Sequence, residues 1–544
     1  MRAHGSATDD GAAARWFLTP ARRGNPATEI DRLPEDSPGS WCGGNRVVPL
    51  LHGATYFRRL HEVLCALSAG DRVFFTDWSG DADERLLPDG GEVGDVLRDL
   101  VTAGVEVRAL LWRSHSERLS FTAAQNQRLG RWLNEAGGEV LLDQRVRRFG
   151  SHHQKLFVVQ HTGHAERDVA FVGGIDLCHG RRDDEEHAGD PQQPPMDRRY
   201  RGRAPWHDVT FELHGPVVGD LLRTFAERWN DPTPLDRRTP YRLLTQRLAR
   251  MPRHPRPLPE AFPDPPAAGR HAVQVLRTYP RKRPRYPFAP EGERSVARGY
   301  RTAFGLARSL VYLEDQYLWS GDVVESLCAA LRRSPGLRVV AVVPRFPDAD
   351  DALAGPANRL GQIDALARLY RAGPGRVGVY DVENAAGTPI YVHAKVCVVD
   401  DVWVSCGSDN VNRRSWTSDS ELTVAVLDPE RDPREPRDVS GTGDGARVLP
   451  RTLRMRLAAE HLGLAADDAR LVDPMASADL WAARARALDD WHHARRAGER
   501  PPGRARVHRP QPVPRWARTW SVPLYRTVYD PDGRSRPLRR AGEF

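Results

Sequence analysis

Read from residue 55, and again from residue 292, the sequence passes through one series of elements twice. This duplication restricts the fold more than any other feature. In the first pass a helical stretch, TYFRRLHEVLCALSAG (55–70), leads into the apolar strand RVFFTDW (72–78). A helix near 92–103, the strand VEVRALLW (105–112), a helix near 120–136, the short strand EVLLD and the stretch RRFGSHHQKLFVV (147–159) follow. In the second pass the helix GERSVARGYRTAFGLARSL (292–310) leads into VYLEDQYLW. The strand LRVVAVVP (337–344), the helix ANRLGQIDALARLYRAG (357–373), the strand RVGVYD and then YVHAKVCVVD complete it. Val73 lies 80 residues before His153, and Leu310 lies 83 before His393. Strands alternating with helices of this length predict βαβ units. The expected fold class is α/β: two similar lobes from an internal duplication, each a mixed, largely parallel sheet flanked by helices.

The correspondence continues past these stretches. HDVTFELHG (207–215) matches SELTVAVLD (420–428), which sets Asp208 against Glu421, and a helical segment follows each. The expected organisation is a loose N-terminal arm (1–40), a first lobe (41–250), a linker (251–270) and a second lobe (271–465). The second lobe carries a charged Gly/Pro loop at 431–446, and a C-terminal extension runs from 466 to 544. The Pro/Arg-rich residues after 500 read as an arm over the surface.

The cations single out a few positions. Of 80 lysines and arginines only Lys155, Lys282 and Lys395 are lysine. Two of the three follow a histidine by two residues, His153 and His393, at matched places in the repeat. Along a strand, residues i and i+2 share a face. His153 therefore partners Lys155, His393 partners Lys395, and His152 points the other way. A compact ammonium meets a phosphoryl oxygen as a point charge, a role that arginine fills differently. Two lobes related by approximate twofold symmetry can bring both pairs to one shared site at their interface.

Such a site suits phosphodiester cleavage. One imidazole attacks phosphorus to form a phosphohistidine. The other protonates the leaving oxygen and then deprotonates the acceptor. The lysines stabilise charge on the non-bridging oxygens, so neither a metal nor another cofactor is expected. Asp208 and Glu421 are placed to hold the imidazoles in the required tautomer.

The second copy extends this pattern. His393–Ala394–Lys395, four residues, Asp400, six residues, then Gly407–Ser408 and Asn410 resembles the signature of the phospholipase D superfamily. FVGGIDLCHGRRDD, PWHDV, YLEDQYLW, and GSDNVNRRSW followed by DSEL agree with it. The resemblance covers roughly residues 40–430, with weaker echoes to about 465. It implies two α/β lobes around one site, with His153 as nucleophile and His393 as acid. It also implies that Gly407, Ser408 and Asn410 line a phosphate pocket, with Gly173 and Gly174 as first-lobe counterparts, and that Asp400 structures a turn. The first copy departs in two places. Gln160 replaces the aspartate, and Asp168 is the candidate to take over the turn. Asp176 stands where the second copy has Asn410, so the half-sites are unequal.

Composition bounds partners. A net charge of +8 on 544 residues permits an anionic partner. The run RTYPRKRPRYPFAP (277–290) could touch headgroups or form a solvated loop at the mouth of the site. The six cysteines include no CxxC pair, so neither a zinc site nor a disulfide framework is suggested. The N-terminus lacks the apolar core of a signal peptide, and no apolar run nears the roughly 18 residues a membrane helix needs. The expectation is a cytoplasmic monomer that meets phospholipid by peripheral membrane contact, with nucleic acid not expected as a partner. A cardiolipin synthase-like phosphatidyltransferase, a nuclease of the same superfamily and a non-catalytic binding descendant stay open beside a phospholipase D-type phosphodiesterase.

Overall fold

A computed structural model describes residues 9–31, 40–114, 122–235, 251–252, 255–259, 262–348 and 354–544. Parts of the expected arm (1–8, 32–39), the end of the first lobe (236–250) and parts of the linker lie outside them.

The apolar runs form one continuous sheet whose two halves mirror each other. From the first outer edge the order is Glu139–Asp143, Glu106–Trp112, Arg72–Asp77, Leu156–Gln160, Val169–Gly173, Val209–His214 and Cys42–Leu51. From the other edge, inside a terminal strand Ala505–Val507, it is Val377–Val382, Arg338–Val342, Leu310–Asp315, Lys395–Val399, Trp403–Gly407, Glu421–Leu427 and His271–Tyr279. The halves join where Cys42–Leu51 runs antiparallel to His271–Tyr279. VAFVG is apolar at every position, and KVCVV at every position after Lys395, because both faces are covered. One core cluster spans both halves, and a separate cluster fills the outer side of each.

The predicted βαβ units are present, with Val93–Thr102 and Gly321–Arg333 as crossover helices. The resulting parallel pairing is narrower than the helix–strand alternation suggests. It is confined to the three outer strands of each repeat, and all other ladders of the main sheet are antiparallel. The reason is connection length. After the third strand of each unit no crossover helix follows, and Leu156–Gln160 with Val169–Gly173, and Lys395–Val399 with Trp403–Gly407, form hairpins whose short links make antiparallel neighbours.

The arm read as loose and the tail read as an arm over the surface are both fastened. Trp16, Phe17 and Leu18 enter the second half's core. Buried Arg23 donates to Glu293 Oε1 (2.9 Å) and the Val275 carbonyl (2.8 Å). At the other end Ala505–Val507 adds an edge strand, and the backbone of Asp530–Gly533 seats on residues 413–417. Among the described residues no helix is long and apolar enough to cross a membrane.

Candidate active site

The two motifs sit where strand pairing changes partner. Pairing within each half begins only at Leu156 and at Lys395, so both histidines precede their strands rather than lying within them. The backbone ahead of each strand crosses to the opposite half. Tyr391 and Val392 pair in parallel with Trp206 and His207, and the His393 N–H donates to the His207 carbonyl at 2.8 Å. His152 bridges to Ser420, and the His153 N–H donates to the Ser420 carbonyl at 2.9 Å. Each crossing brings a carboxylate one residue further on. His393 Nδ1 lies 2.7 Å from Asp208 Oδ2, and His153 Nδ1 lies 2.9 Å from Glu421 Oε2. Each half thus supplies the carboxylate for the other half's imidazole. The repeat identifies the two acids as equivalents but carries no sign of the exchange. Both Nδ1 atoms are engaged, which leaves Nε2 on each ring for chemistry.

The lysines differ in their surroundings. Lys155 pairs with Asp176 at 3.1 Å, and Arg181 lies 4.0 Å from the same carboxylate. Asn410 replaces that carboxylate in the second half, and Lys395 pairs with no carboxylate among the described residues. Its ammonium contacts Gln316 Oε1 at 3.4 Å and the His393 carbonyl. The Asn410 side chain is buried, with Oδ1 lacking a hydrogen-bond partner among the described residues. His152 is buried, and neither ring nitrogen has a hydrogen-bond partner among the described residues.

The small residues have steric reasons. A Cβ on Gly174 would lie 2.1 Å from Asp208 Oδ1. A Cβ on Gly407 would lie 2.2 Å from Thr423 Oγ1 and 2.5 Å from the Leu422 carbonyl. Ser408 takes the place equivalent to Gly174 and donates to Glu421 Oε2 at 2.5 Å. One carboxylate is thus approached by bare backbone and the other by a hydroxyl.

Electrostatics keep the imidazoles neutral. Burial, then the Lys155 charge, holds His153 well below the usual imidazole range. Burial, then Lys395 and Arg181, does the same to His393. Burial lowers Lys395 to about 8. Burial and the neighbouring Asp419 raise Glu421 to about 8. Asp176 stays below the ordinary carboxylate range despite its burial, held there by Lys155.

Turns behind the site explain the Gln160 departure. Asp400 accepts from the backbone N–H groups of Arg308, Ser309 and Leu310 at 2.7, 2.9 and 2.8 Å, tying the turn after its strand to the loop before Leu310. Among the described residues of the first half, Asp168 bonds only within its own hairpin, at the His161 N–H (2.7 Å). The tie across to the preceding loop runs in reverse. Asp71, in that loop, accepts from the Thr162 N–H at 2.8 Å. Asp71 gave no sequence signal, since a loop aspartate is commonplace. Also unread were Asp77 and Asp315, which end equivalent strands. They accept from the N–H groups of Leu177 (2.8 Å) and Val411 (2.7 Å), the residues after Asp176 and Asn410.

Losing three hydrogen bonds to a buried carboxylate costs about 3 kcal/mol or more. Asp400→Ala should therefore lower the urea unfolding midpoint clearly, while kcat of the folded fraction stays within about twofold, because no Asp400 atom reaches the imidazoles. An unchanged midpoint would show that the turn is held by other contacts.

Comparison with known proteins gives the same assignment. The family model for phospholipase D matches residues 66–242 and 379–497, and that for the cardiolipin synthase PLD-like domain matches residues 301–432. Phospholipase D alpha 2 of Oryza sativa subsp. japonica is 26% identical over 556 residues, covering 77% of this chain and 65% of that protein. Phospholipase D alpha 1 of Ricinus communis is 25% identical over 548 residues, with the same coverages. The chain thus spans just under two thirds of the length of these relatives. A solved structure of phosphatidylserine synthase from Haemophilus influenzae Rd KW20 aligns with 70% of this chain and 82% of its own, at 16% identity and a TM-score of 0.49. With one family model matching more than half of its residues, and both copies of the motif folded into one constellation, the chain belongs to the phospholipase D superfamily.

Proposed function

We propose that the chain is a phosphodiesterase that cleaves glycerophospholipids such as phosphatidylcholine and passes the phosphatidyl group to water or an alcohol. The observation that carries this reading is the crossed pair of imidazole–carboxylate contacts, each beside a buried lysine. His153 Nε2 attacks phosphorus while the bond to the headgroup oxygen breaks. His393 Nε2 delivers a proton to that oxygen, and the headgroup leaves as its alcohol. Neutral His393 then removes a proton from water or an acceptor alcohol, whose oxygen attacks phosphorus and releases His153. The cationic form of His393 is favoured only once a phosphodiester anion offsets the charges of Lys155 and Lys395, which otherwise hold the imidazoles neutral. In this reading Asn410 and Ser408 border the phosphate. Gly174 and Gly407 let backbone approach it, and Asp176 tempers the charge of Lys155.

Contact with a lipid surface has support of its own. Arg281, Lys282, Arg283, Arg147 and Arg148 line an open cavity of about 890 Å3. The aromatics of the same run, Tyr279, Tyr286 and Phe288, are buried in a cluster beneath it, with Lys282 buried 4.1 Å from the Tyr286 ring centre and Arg281 and Arg283 exposed. The match to the cardiolipin synthase domain favours a second reading, the same phosphohistidine with a lipid alcohol as acceptor.

Incubation with phosphatidylcholine vesicles and a primary alcohol tests the proposal. Phosphatidic acid and the phosphatidyl-alcohol should form together. Turnover of DNA with none of lipid would overturn it. A product confined to lipid acceptors would select the second reading.

A further inference from the structure

Behind the proposed phosphate site a second group of histidines gathers around one carboxylate. Glu460 Oε2 lies 3.0 Å from His52 Nε2, and Glu460 Oε1 lies 2.9 Å from His187 Nε2 and 3.6 Å from His207 Nδ1. The four ligand atoms all lie within 4.8 Å of one another. The three histidines are buried, and Glu460 nearly so. Their rings meet at 80°, 65° and 51°, radiating about a shared centre rather than stacking.

The polar groups around the rings point to a cation at that centre. His207 Nε2 lies 2.5 Å from Glu314 Oε2, so the ring proton is required there. His207 Nδ1 faces Glu460 Oε1 at 3.6 Å, beyond hydrogen-bond reach, and has no hydrogen-bond partner among the described residues. Behind His187, Asp183 Oδ2 lies 3.6 Å from Nδ1. A carboxylate behind the non-ligating nitrogen is the usual support for a metal-bound imidazole. His52 and His187 have φ of 66° and 54°, backbone conformations that cost energy in a residue other than glycine. Arg504 Nη1 approaches Glu460 Oε1 at 3.3 Å from a partly exposed position.

We propose that His52 Nε2, His187 Nε2, His207 Nδ1 and a Glu460 oxygen bind one divalent transition ion, with zinc as the class that this donor set and a closed four-coordinate arrangement suit best. Metal–ligand bonds of about 2.0–2.2 Å put tetrahedral ligands roughly 3.4 Å apart, close to the nitrogen–oxygen separations here. The role is structural. Three ligands come from the first half and one from the second. His207 precedes Asp208, and its carbonyl holds the His393 N–H. The ion would therefore staple the halves directly behind the crossed contact. Cysteine spacing gave no metal signal because these ligands meet only in the folded chain.

Metal content tests this independently of any lipid turnover. The full chain, purified without chelator and dialysed against metal-free buffer, should retain about one zinc per chain. Co2+ in its place should give the visible absorption of a four-coordinate site. His187→Ala and Glu460→Gln should each lower zinc content at least tenfold. His461→Gln, which alters a ring bonded to Glu314 rather than to the ion, should retain it. A wild-type chain that carries no zinc, and takes up neither Zn2+ nor Co2+ in equilibrium dialysis, would overturn the proposal and leave a proton-only histidine–glutamate network. Because that result needs no variant, a misfolded substitution cannot obscure it.

Discussion

His153→Ala and His393→Ala should each reduce phosphatidylcholine turnover by at least about 10⁴-fold, the largest losses expected of any single substitutions in this chain. The two variants should differ in what they trap. With labelled phospholipid, His393→Ala retains the nucleophile but lacks the proton donor. It should accumulate a small amount of acid-labile, base-stable label on His153, most readily from substrates with a good leaving group. His153→Ala should accumulate none. Label retained by His153→Ala but not by His393→Ala would reverse the assignment of nucleophile and acid. Label on neither, with turnover intact, would remove the two-histidine mechanism altogether.

The carboxylates give the second large effect, with a pH signature. Asp208→Asn should lower kcat/KM by about 10²–10⁴-fold, the scale seen when a buried acid that sets an imidazole tautomer becomes an amide. Glu421→Gln should lower it too, and should also change the pH profile. While Glu421, raised to about 8, is protonated, it donates to His153 Nδ1 and leaves the proton on Nε2, the nitrogen that must attack. Activity should therefore rise as pH climbs toward 8 and Glu421 ionises. Lys395, lowered to about 8, loses its charge over the same range, so activity should fall above it. The wild type should show a narrow bell in kcat/KM centred near 8. Glu421→Gln should lose the acidic limb and keep the alkaline one. An acidic limb that survives this substitution would belong to another group.

Much of this site was legible because the sequence is biased. With 77 of 80 cations arginine, Lys155 and Lys395 stand out, and their spacing from His153 and His393 identifies both half-sites. The strands were legible because a strand covered on both faces is an unbroken apolar run, as in LFVV and VCVV. What stayed hidden depends on contacts between distant parts of the chain. The exchange of Asp208 and Glu421 follows from short ladders at Tyr391–Val392 and His152, which have no composition of their own. Fastening of residues 9–31 rests on Trp16, Phe17 and Arg23 within an otherwise polar stretch. Asp71 and Asp168 divide a task that Asp400 performs alone, and only the loop geometry tells which aspartate reaches across.

The crossed carboxylates also impose an order in time. His153 precedes Glu421 by 268 residues. At about 5–20 residues per second, a ribosome needs tens of seconds to cover that distance. Throughout that interval the emerging first half carries its imidazole and lysine without the acid that orients them, and Asp208 has no His393 to serve. A nascent chain should therefore be inert until residue 421 has left the ribosome. Chains arrested on the ribosome before residue 421 should show no phospholipid turnover, and chains arrested with the full sequence extruded should show it.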